Sequence, residues 1–334
     1  MPTPPLVPRQ PENEITADRP SARELAAFAA SCRNGLVTLF KHERWPLFHV
    51  RSLCSEGCNK GCPRPGYRVR VATRIPRLVA SDLDGTLVRS DGTVSDRTRA
   101  AVRRVEAAGA LFVMVTARPP RWVDALADLT GDHGLAIVAN GAILYDVATR
   151  KPLRTRMIEP SMALEVAEAI RAAIPDVQFA IERANRYGHE PAYQNHWPKP
   201  DDSLVAELAE LLNEPAAKLL VRHPSWHSDD LLARVSAVVG ERATASHSGG
   251  EQLVEISATG VSKAAALAEL ATMQGLSASD VIAFGDSLND IPMLSWAGTS
   301  YAVANAHREV LEIADQVCPA NDEDGGAVVL ESLY

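Results

Sequence analysis

The sequence predicts a doubly wound α/β fold: a mostly parallel, Rossmann-like sheet flanked by helices, with a smaller α+β domain inserted into it. Three observations carry this. From Arg77 onward, short apolar runs alternate with amphipathic helical segments. Chemistry-bearing residues follow directly on three of those runs, where parallel sheets bind their ligands. The middle of the chain, about 148–248, has its own mixture of helical and strand-like patterns.

Leu78-Val79-Ala80-Ser81 is a short apolar run ending at Asp82, as expected of a buried parallel strand. Ser95 opens a helix that places Val102 and Val105 on one face, and Gly109 fits just past its end. A strand over 111–115, a helix over 121–129 and a strand over 135–139 follow. The pattern resumes with a helix over 261–273 and strands over 281–284 and 301–303. Between these, helices are expected over 161–173, 203–212 and 229–239, interleaved with strands over 177–181, 218–221 and 243–246. The expected division is therefore a core of 74–147 and 249–334 around an inserted domain of 148–248, preceded by an extension of 1–73.

Composition separates that extension from the rest. Residues 1–77 carry 13 Lys/Arg against 6 Asp/Glu, whereas the remainder carries 21 against 36. Ten of the 22 prolines fall within residues 1–76, and apart from one short helix over 21–31 the segment is expected to be poorly ordered. The net charge of −8 argues against nucleic acid as the main partner. The longest apolar stretches, 111–117 and 134–145, fall far short of the roughly 20 residues that cross a bilayer. Residues 1–30 do not read as a secretory signal, because prolines and charges interrupt any apolar centre. Of five cysteines only Cys318 lies beyond residue 62, so no disulfide framework is expected for the main body, and a reducing cytoplasm is the simplest setting.

Asp82 and Asp84 end the first strand, with Gly85 and Thr86 next. An i, i+2 carboxylate pair can face one site if the chain leaves extended geometry there, and Gly85 permits the turn. Alone, Asp-x-Asp-Gly also fits an ordinary turn. Three further elements favour a site. Thr116 places a hydroxyl after the second strand; Lys263 starts a helix, where a cation is unfavourable unless an anion is present; and Gly285-Asp286-Ser287-Leu288-Asn289-Asp290 adds carboxylates and an amide after a third strand. Together these groups suit a phosphate bound beside Mg²⁺.

These motifs make the sequence resemble the haloacid dehalogenase-like superfamily, and within it the Cof-type phosphatase branch with a type IIB cap. The matching pieces are Asp82-Leu83-Asp84-Gly85-Thr86, Thr116-Ala117-Arg118, Ala139-Asn140-Gly141-Ala142, Gly260-Val261-Ser262-Lys263, Gly285-Asp286-Ser287-Leu288-Asn289-Asp290 and Asn321-Asp322-Glu323-Asp324-Gly325. They arrive in the family's order across about residues 77–334. The resemblance implies that Asp82 attacks phosphorus to form an aspartyl phosphate and that Asp84 is the general acid and base. It implies that Thr116, Ala117, Lys263 and Asn289 hold the phosphoryl group. It also implies Mg²⁺ at Asp82, Asp84 (through its backbone carbonyl), Asp286 and Asp290. The family usually has Gly where this chain has Ala117 and Ala264, so a methyl stands where backbone approaches phosphate.

Spacing refines the resemblance. Only 31 residues separate Asp84 from Thr116, while 146 separate Thr116 from Lys263, so the cap is expected in the later interval. That disfavours the dehalogenase and β-phosphoglucomutase types. The expected activity is Mg²⁺-dependent hydrolysis of a small phosphorylated metabolite, either a sugar phosphate or a phosphorylated cofactor precursor, by a monomer or homodimer. A phosphomutase and a non-catalytic regulatory protein are the alternatives. In the cap, Arg183, Arg186, His189, Glu190, Tyr193, His196 and Trp197 form a polar, aromatic cluster able to close over substrate, and His247 stands near the return to the core. Trp122, Trp226 and Trp296 read as packing residues. His49, Cys54, Cys58 and Cys62 could supply four metal ligands, but their spacing matches neither a standard zinc knuckle nor an iron–sulfur radical enzyme. The charge and proline shift leads to a further expectation, that residues 1–70 lie outside the working protein and the family-like part begins near Val71.

Overall fold

The structure is a computed structural model that describes residues 75–130, 134–194, 196, 199–247 and 252–334. The expected N-terminal extension, its helix over 21–31, the Cys54, Cys58 and Cys62 group and Trp197 lie outside the described residues.

The first sheet has eight strands in the order β14 (Gln316–Cys318), β13 (Thr299–Val303), β12 (Val281–Gly285), β1 (Leu78–Ser81), β2 (Leu111–Val115), β3 (Leu135–Val138), β4 (Ile143–Asp146) and β5 (Lys151–Thr155). Strands β14 to β3 pair in parallel, and β4 and β5 add an antiparallel edge. The four residues of β1 are all buried, which is why that strand reads as a continuous apolar run. The chain moves outward from β1 through β2 to β3, then returns to β12 and moves outward the other way. The reversal lies between β1 and β12, and in such sheets the crevice beyond that point takes the ligand.

Local signals set the flanking helices. In Asp96–Ala107 the Ser95 hydroxyl accepts from the Thr98 N–H, and Thr98, Ala101, Val102 and Val105 form the buried stripe. This helix packs against β2 and the C-terminal helix Gly325–Leu333. The helix Lys263–Met273 is capped by Ser262, which accepts from the Ala265 N–H. The helix expected over 121–129 is a short α-turn, Pro120–Val123, continued as a 3-10 segment, Asp124–Leu129, with a kink at Leu126.

A second, six-stranded sheet runs in the order β10 (Ala243–Ser246), β11 (Leu253–Ala258), β9 (Lys218–Arg222), β6 (Gln178–Glu182), β7 (Tyr187–His189) and β8 (Leu204–Val205). Every pair is antiparallel except β7 with β8. Alternation gives this sheet two distinct faces. Phe179, Ile181, Leu219, Val221, Val254 and Ile256 pack with Val166 and Ile170 of the helix Pro160–Ala173 and with Leu231 and Val235 of the helix Ser228–Val239. The opposite parity carries Ala180, Glu182, Lys218, Leu220, Arg222, Leu253 and Glu255. Both sheets belong to one compact unit, Val71–Tyr334.

Sheet membership places the crossings later than the expected 147/148 and 248/249. β5 is part of the first sheet, but all five of its side chains are exposed, so no apolar pattern announces it. β10 and β11 are antiparallel neighbours, so the chain stays in the second sheet until Ala258. The helix expected over 203–212 divides as well. Leu204 and Val205 add an exposed edge strand to β7, and only Leu208–Leu211 is helical.

The turn after β3 meets the start of the helix Lys263–Met273 at Gly141, whose φ is +99° and where a Cβ would lie 2.3 Å from the Ser262 carbonyl oxygen. Gly141→Ala is expected to cost about 2 kcal/mol or more through strain and overpacking. Thermal unfolding of the variant against the parent chain checks this.

Candidate active site

Three adjacent strand ends supply the site. β1 ends at Asp82, whose N–H donates to the Phe284 carbonyl of β12 at 3.0 Å. β2 ends at Thr116, which is fully buried. β12 leads into Asp286, and the following turn closes on Asp290, whose Oδ2 accepts the N–H groups of Ser287 at 3.0 Å and Asp286 at 3.2 Å. Gly85 allows the close approach of these loops: it has φ +81°, and a Cβ there would lie 2.6 Å from Asp286 Oδ2. The Thr86 hydroxyl donates to Asp286 Oδ1 at 2.8 Å.

Lys263 ties the strand ends together. Its Nζ lies 2.6 Å from Asp82 Oδ1 and 2.7 Å from Asp290 Oδ1, and the lysine, Asp82 and Asp290 are all buried. Burial alone lowers the proton affinity of Lys263, but Asp290 and Asp82 more than reverse this and hold the ammonium above its ordinary value. Burial pushes the Asp82 carboxyl well above its usual range; Lys263 opposes that, while Asp290 and Asp286 reinforce it. Asp286 is raised to about 6, chiefly by burial and then by Asp290.

Carboxylate oxygens of Asp82, Asp286 and Asp290 lie within 4.8 Å of one another. Three carboxylates share one ammonium in a buried place, so full ionisation of the trio would leave a surplus of negative charge. Oxygen-only donors of this kind fit a hard divalent cation better than zinc, which favours nitrogen and sulfur. The Asp84 side chain stands apart from the trio. It is 58% exposed and takes a two-pronged contact from Arg118, with Nε 2.8 Å from Oδ2 and Nη2 2.5 Å from Oδ1.

Asp82, Asp84, Thr116, Ala117, Lys263 and Asn289 all line one cavity of about 490 Å³ between the two sheets. Its far wall is the polar face of the second sheet: Glu182, Lys218, Leu220, Arg222, Leu253 and Glu255, joined by Tyr187, Tyr193 and His196. Arg121 crosses from the first sheet's side to Glu182 with contacts of 2.6 and 2.7 Å, and its guanidinium lies over the rings of Trp122 and Tyr187. Lys218 pairs with Glu255 and donates to the Ala117 carbonyl at 2.8 Å. Asn289 donates to Asn140 Oδ1 at 3.2 Å.

Of the polar, aromatic cluster expected in the cap, Tyr193 and His196 reach the cavity. The other described members are used in folding. Arg183 donates to the Leu211 carbonyl, Arg186 pairs with Glu214, Glu190 pairs with Arg171 and accepts the Phe179 N–H, and His189 lies between the Glu190 carbonyl and Lys199. His247 pairs with Asp229 at 2.9 Å and lines a separate cavity of about 220 Å³ with Asn140, Lys263 and Asn289. Trp122 lines the main cavity instead of only packing, whereas Trp296 packs against the core. Ala264 also packs there, and Ala117 keeps its place in the cavity wall. Arg121, Glu182, Lys218, Arg222 and Glu255 escaped sequence reasoning. For the last four the one signal was the placing of charged among apolar residues along three strands of the inserted region; Arg121, in the turn Pro120–Val123, gave none.

A family model described as haloacid dehalogenase-like hydrolase matches residues 79–330. The chain belongs to that family. Among curated relatives, this hydrolase is 29% identical over 264 residues to a 5-amino-6-(5-phospho-D-ribitylamino)uracil phosphatase of Bacillus subtilis, covering 75% of this chain and 93% of the relative. It is 29% identical over 271 residues to the pyridoxal phosphate phosphatase of Escherichia coli, covering 77% and 98%. A solved haloacid dehalogenase-like hydrolase from B. subtilis aligns with a TM-score of 0.66 at 25% identity over 77% of this chain and all of the other. A sugar phosphatase of HAD subclass IIB aligns with a TM-score of 0.63 at 17% identity, again over 77% of this chain and all of the other. The fold is that of the subclass IIB hydrolases, with the second sheet and its helices as the cap.

The raised Asp286 carboxyl makes stability without a bound cation depend on pH. Its affinity for protons in the folded chain, at about 6, exceeds the ordinary 3.8 of an unfolded aspartate. The stabilising contribution is therefore complete below about pH 4 and is lost as pH rises through about 6. In chelator, lowering pH from 7.5 to 5 is expected to favour the parent chain over Asp286→Asn, with the difference between their thermal midpoints changing in that direction. A divalent cation should reverse the trend, because protons then compete with it. Thermal scans of both chains across this range, with and without chelator, check it.

Proposed function

We propose that this hydrolase is a Mg²⁺-dependent phosphatase of small phosphorylated metabolites that works through an aspartyl phosphate on Asp82. The observation that carries the reading is a buried Asp82 held against Lys263, within the acidic trio, at the floor of the cavity between the two sheets. In the first step an Asp82 oxygen bonds to phosphorus as the bond to the leaving oxygen breaks, and the Asp84 carboxyl gives that oxygen its proton. In the second, Asp84 takes a proton from water as the water oxygen attacks phosphorus, and the bond to Asp82 breaks to restore the carboxylate. Its position at the cavity wall, more exposed than Asp82, supports both roles. Arg118 holds both its oxygens here, so the role requires Asp84 to exchange an Arg118 contact for the leaving group.

Lys263, Asn289 and the Thr116 hydroxyl would hold phosphoryl oxygens, where most of the catalytic benefit is positioning and charge compensation. Asp82, Asp286 and Asp290 would hold Mg²⁺, which supplies charge neutralisation between the carboxylates and the anionic ester. The cavity also has room for an organic group beside the phosphate. Rings of Trp122, Tyr187 and Tyr193 and side chains of Leu220 and Leu253 offer it an amphipathic wall. The two curated relatives above, named for a ribitylaminouracil phosphate and a pyridoxal phosphate, support esters of this size, whether cofactor precursors or sugar phosphates.

Asp82→Asn is expected to lower turnover of p-nitrophenyl phosphate by about a thousandfold or more, as removal of a covalent nucleophile does. Release of orthophosphate from a panel of sugar and cofactor-precursor phosphates, with Mg²⁺ and with chelator, tests the whole reading. Turnover that persists in Asp82→Asn or in chelator would sink it.

A further inference from the structure

The turn Ala139-Asn140-Gly141 holds three consecutive residues at positive φ: 52°, 58° and 99°. Residues with side chains keep such a conformation only where their surroundings hold them in it, and such places concentrate at functional sites. Here the turn is bonded to the phosphate side of the cavity. The Ala139 N–H donates to the Arg118 carbonyl at 2.9 Å and the Asn140 N–H to the Thr116 carbonyl at 3.0 Å. The buried Asn140 side chain joins three parts of the protein. Its Nδ2 donates to Glu255 Oε2 of the cap strand β11 at 2.8 Å, and its Oδ1 accepts from Asn289 Nδ2 at 3.2 Å.

The order of donors and acceptors in this chain is fixed from one end. An ionised carboxylate only accepts, whereas a primary amide donates from one side and accepts on the other. Lys218 donates to the second oxygen of Glu255, so both carboxylate oxygens stand as acceptors here. Glu255 therefore selects the NH₂ side of Asn140. The Asn140 oxygen then faces Asn289, which must in turn present its own NH₂. Reversing the Asn289 amide would set two carbonyl oxygens against each other. The cost of the selected orientation is visible, because Asn289 Oδ1 is buried with no hydrogen-bond partner among the described residues. A folded protein accepts such an orphan where the group serves a ligand.

We propose that Asn140 and Glu255 are positioning residues that fix the orientation of the Asn289 amide, and through it the grip on the phosphoryl group. The proposal rests on the phosphatase reading, in which Asn289 holds a phosphoryl oxygen. Glu255 belongs to the cap and Asn140 and Asn289 to the core, so the relay is complete only with the cap seated as it is here. Cap position and phosphate affinity are thereby coupled.

The test uses the full chain with Mg²⁺ and measures orthophosphate affinity by calorimetry, KM for p-nitrophenyl phosphate, and the thermal midpoint. Asn140→Gly removes the amide at a turn that glycine adopts freely, so the fold is expected to hold, with the midpoint lowered by the loss of two buried hydrogen bonds. Orthophosphate affinity is expected to fall about tenfold and KM to rise in parallel, the effect of one misplaced hydrogen bond to a charged group. Asn140→Asp is expected to be worse than Asn140→Gly, because it sets a second carboxylate against Glu255. Glu255→Gln should weaken orthophosphate binding in the same direction. In an Asn289→Ala background, Asn140→Gly should have no further effect on affinity, which a purely structural role would not produce. Parent-like orthophosphate affinity in Asn140→Gly, or an equal loss with and without Asn289, overturns the relay; parent-like affinity in Glu255→Gln overturns the part given to the cap. A parent chain that binds orthophosphate but turns over no ester overturns the phosphatase reading, while the affinities still decide the relay. A parent chain that binds no orthophosphate overturns the relay directly.

Discussion

The site depends on one buried ammonium. Lys263 lies between Asp82, which ends β1, and Asp290, which closes the turn after β12, so a single charge joins the strands on either side of the sheet's reversal. Its position at the first turn of a helix is unfavourable toward the helix dipole. Two carboxylates within hydrogen-bond distance offset this, and removal of one member from such a buried set typically costs about 3–5 kcal/mol. Other features follow from that requirement. Ser262 caps the helix so that it starts at Lys263, and Gly141 lets the neighbouring turn approach the cap residue's carbonyl.

The cap solves a different problem. Its sheet is buried on both faces, by its own helices on one side and by the cavity and core on the other. The helix-facing side is apolar throughout, and that suffices for folding. The cavity-facing side carries Glu182, Lys218, Arg222 and Glu255, all buried. Three of these answer to the core: Glu182 to Arg121, Glu255 to Asn140 and Lys218 to the Ala117 carbonyl. Buried polar pairs of this sort add little net stability but have strict geometric demands. They define where the cap sits over Asp82 more sharply than apolar contact alone would.

How much of this was legible in the sequence varied with the kind of signal. The core strands β1, β2, β3 and β12 could be read because they are buried on both faces and therefore continuous in apolar character. Asp82, Asp84, Thr116, Asp286, Asn289 and Asp290 could be picked out because each follows such a strand within a short motif, and Lys263 because it opens a helix within one. β5 was not, since an exposed edge strand has no apolar pattern. The cap's cavity residues were hidden for a related reason. Lys218, Arg222 and Glu255 alternate with Leu219, Val221 and Ile256, so each looks like the solvated face of an ordinary strand until the core covers it. Arg183, Arg186 and Glu190 erred in the opposite direction. Their polar character suggested a binding loop, but they close hydrogen bonds within the cap.

The last of the family-like motifs, Asn321–Gly325, supplies none of the residues that line the main cavity, and the structure gives it a mechanical task. Asn321 donates to the Val88 carbonyl at 2.9 Å, Asp324 takes a two-pronged contact from Arg89, and Asp322 accepts from the backbone and hydroxyl of Ser90. Asn305, itself bonded to the Asn321 N–H, donates to the Gly85 carbonyl at 2.8 Å. The loop from Gly85 to Ser90 is thus held at several points by residues more than two hundred positions later. On the proposed reading Asp82 gains from such bracing as nucleophile, because a group already in place needs no reorganisation as charge develops. The two sides of the cavity are therefore built on different terms. The floor beneath Asp82 is fixed by contacts within the core, while the Asn140–Asn289 side is fixed through a cap residue. Only the second can respond to what the cap encloses.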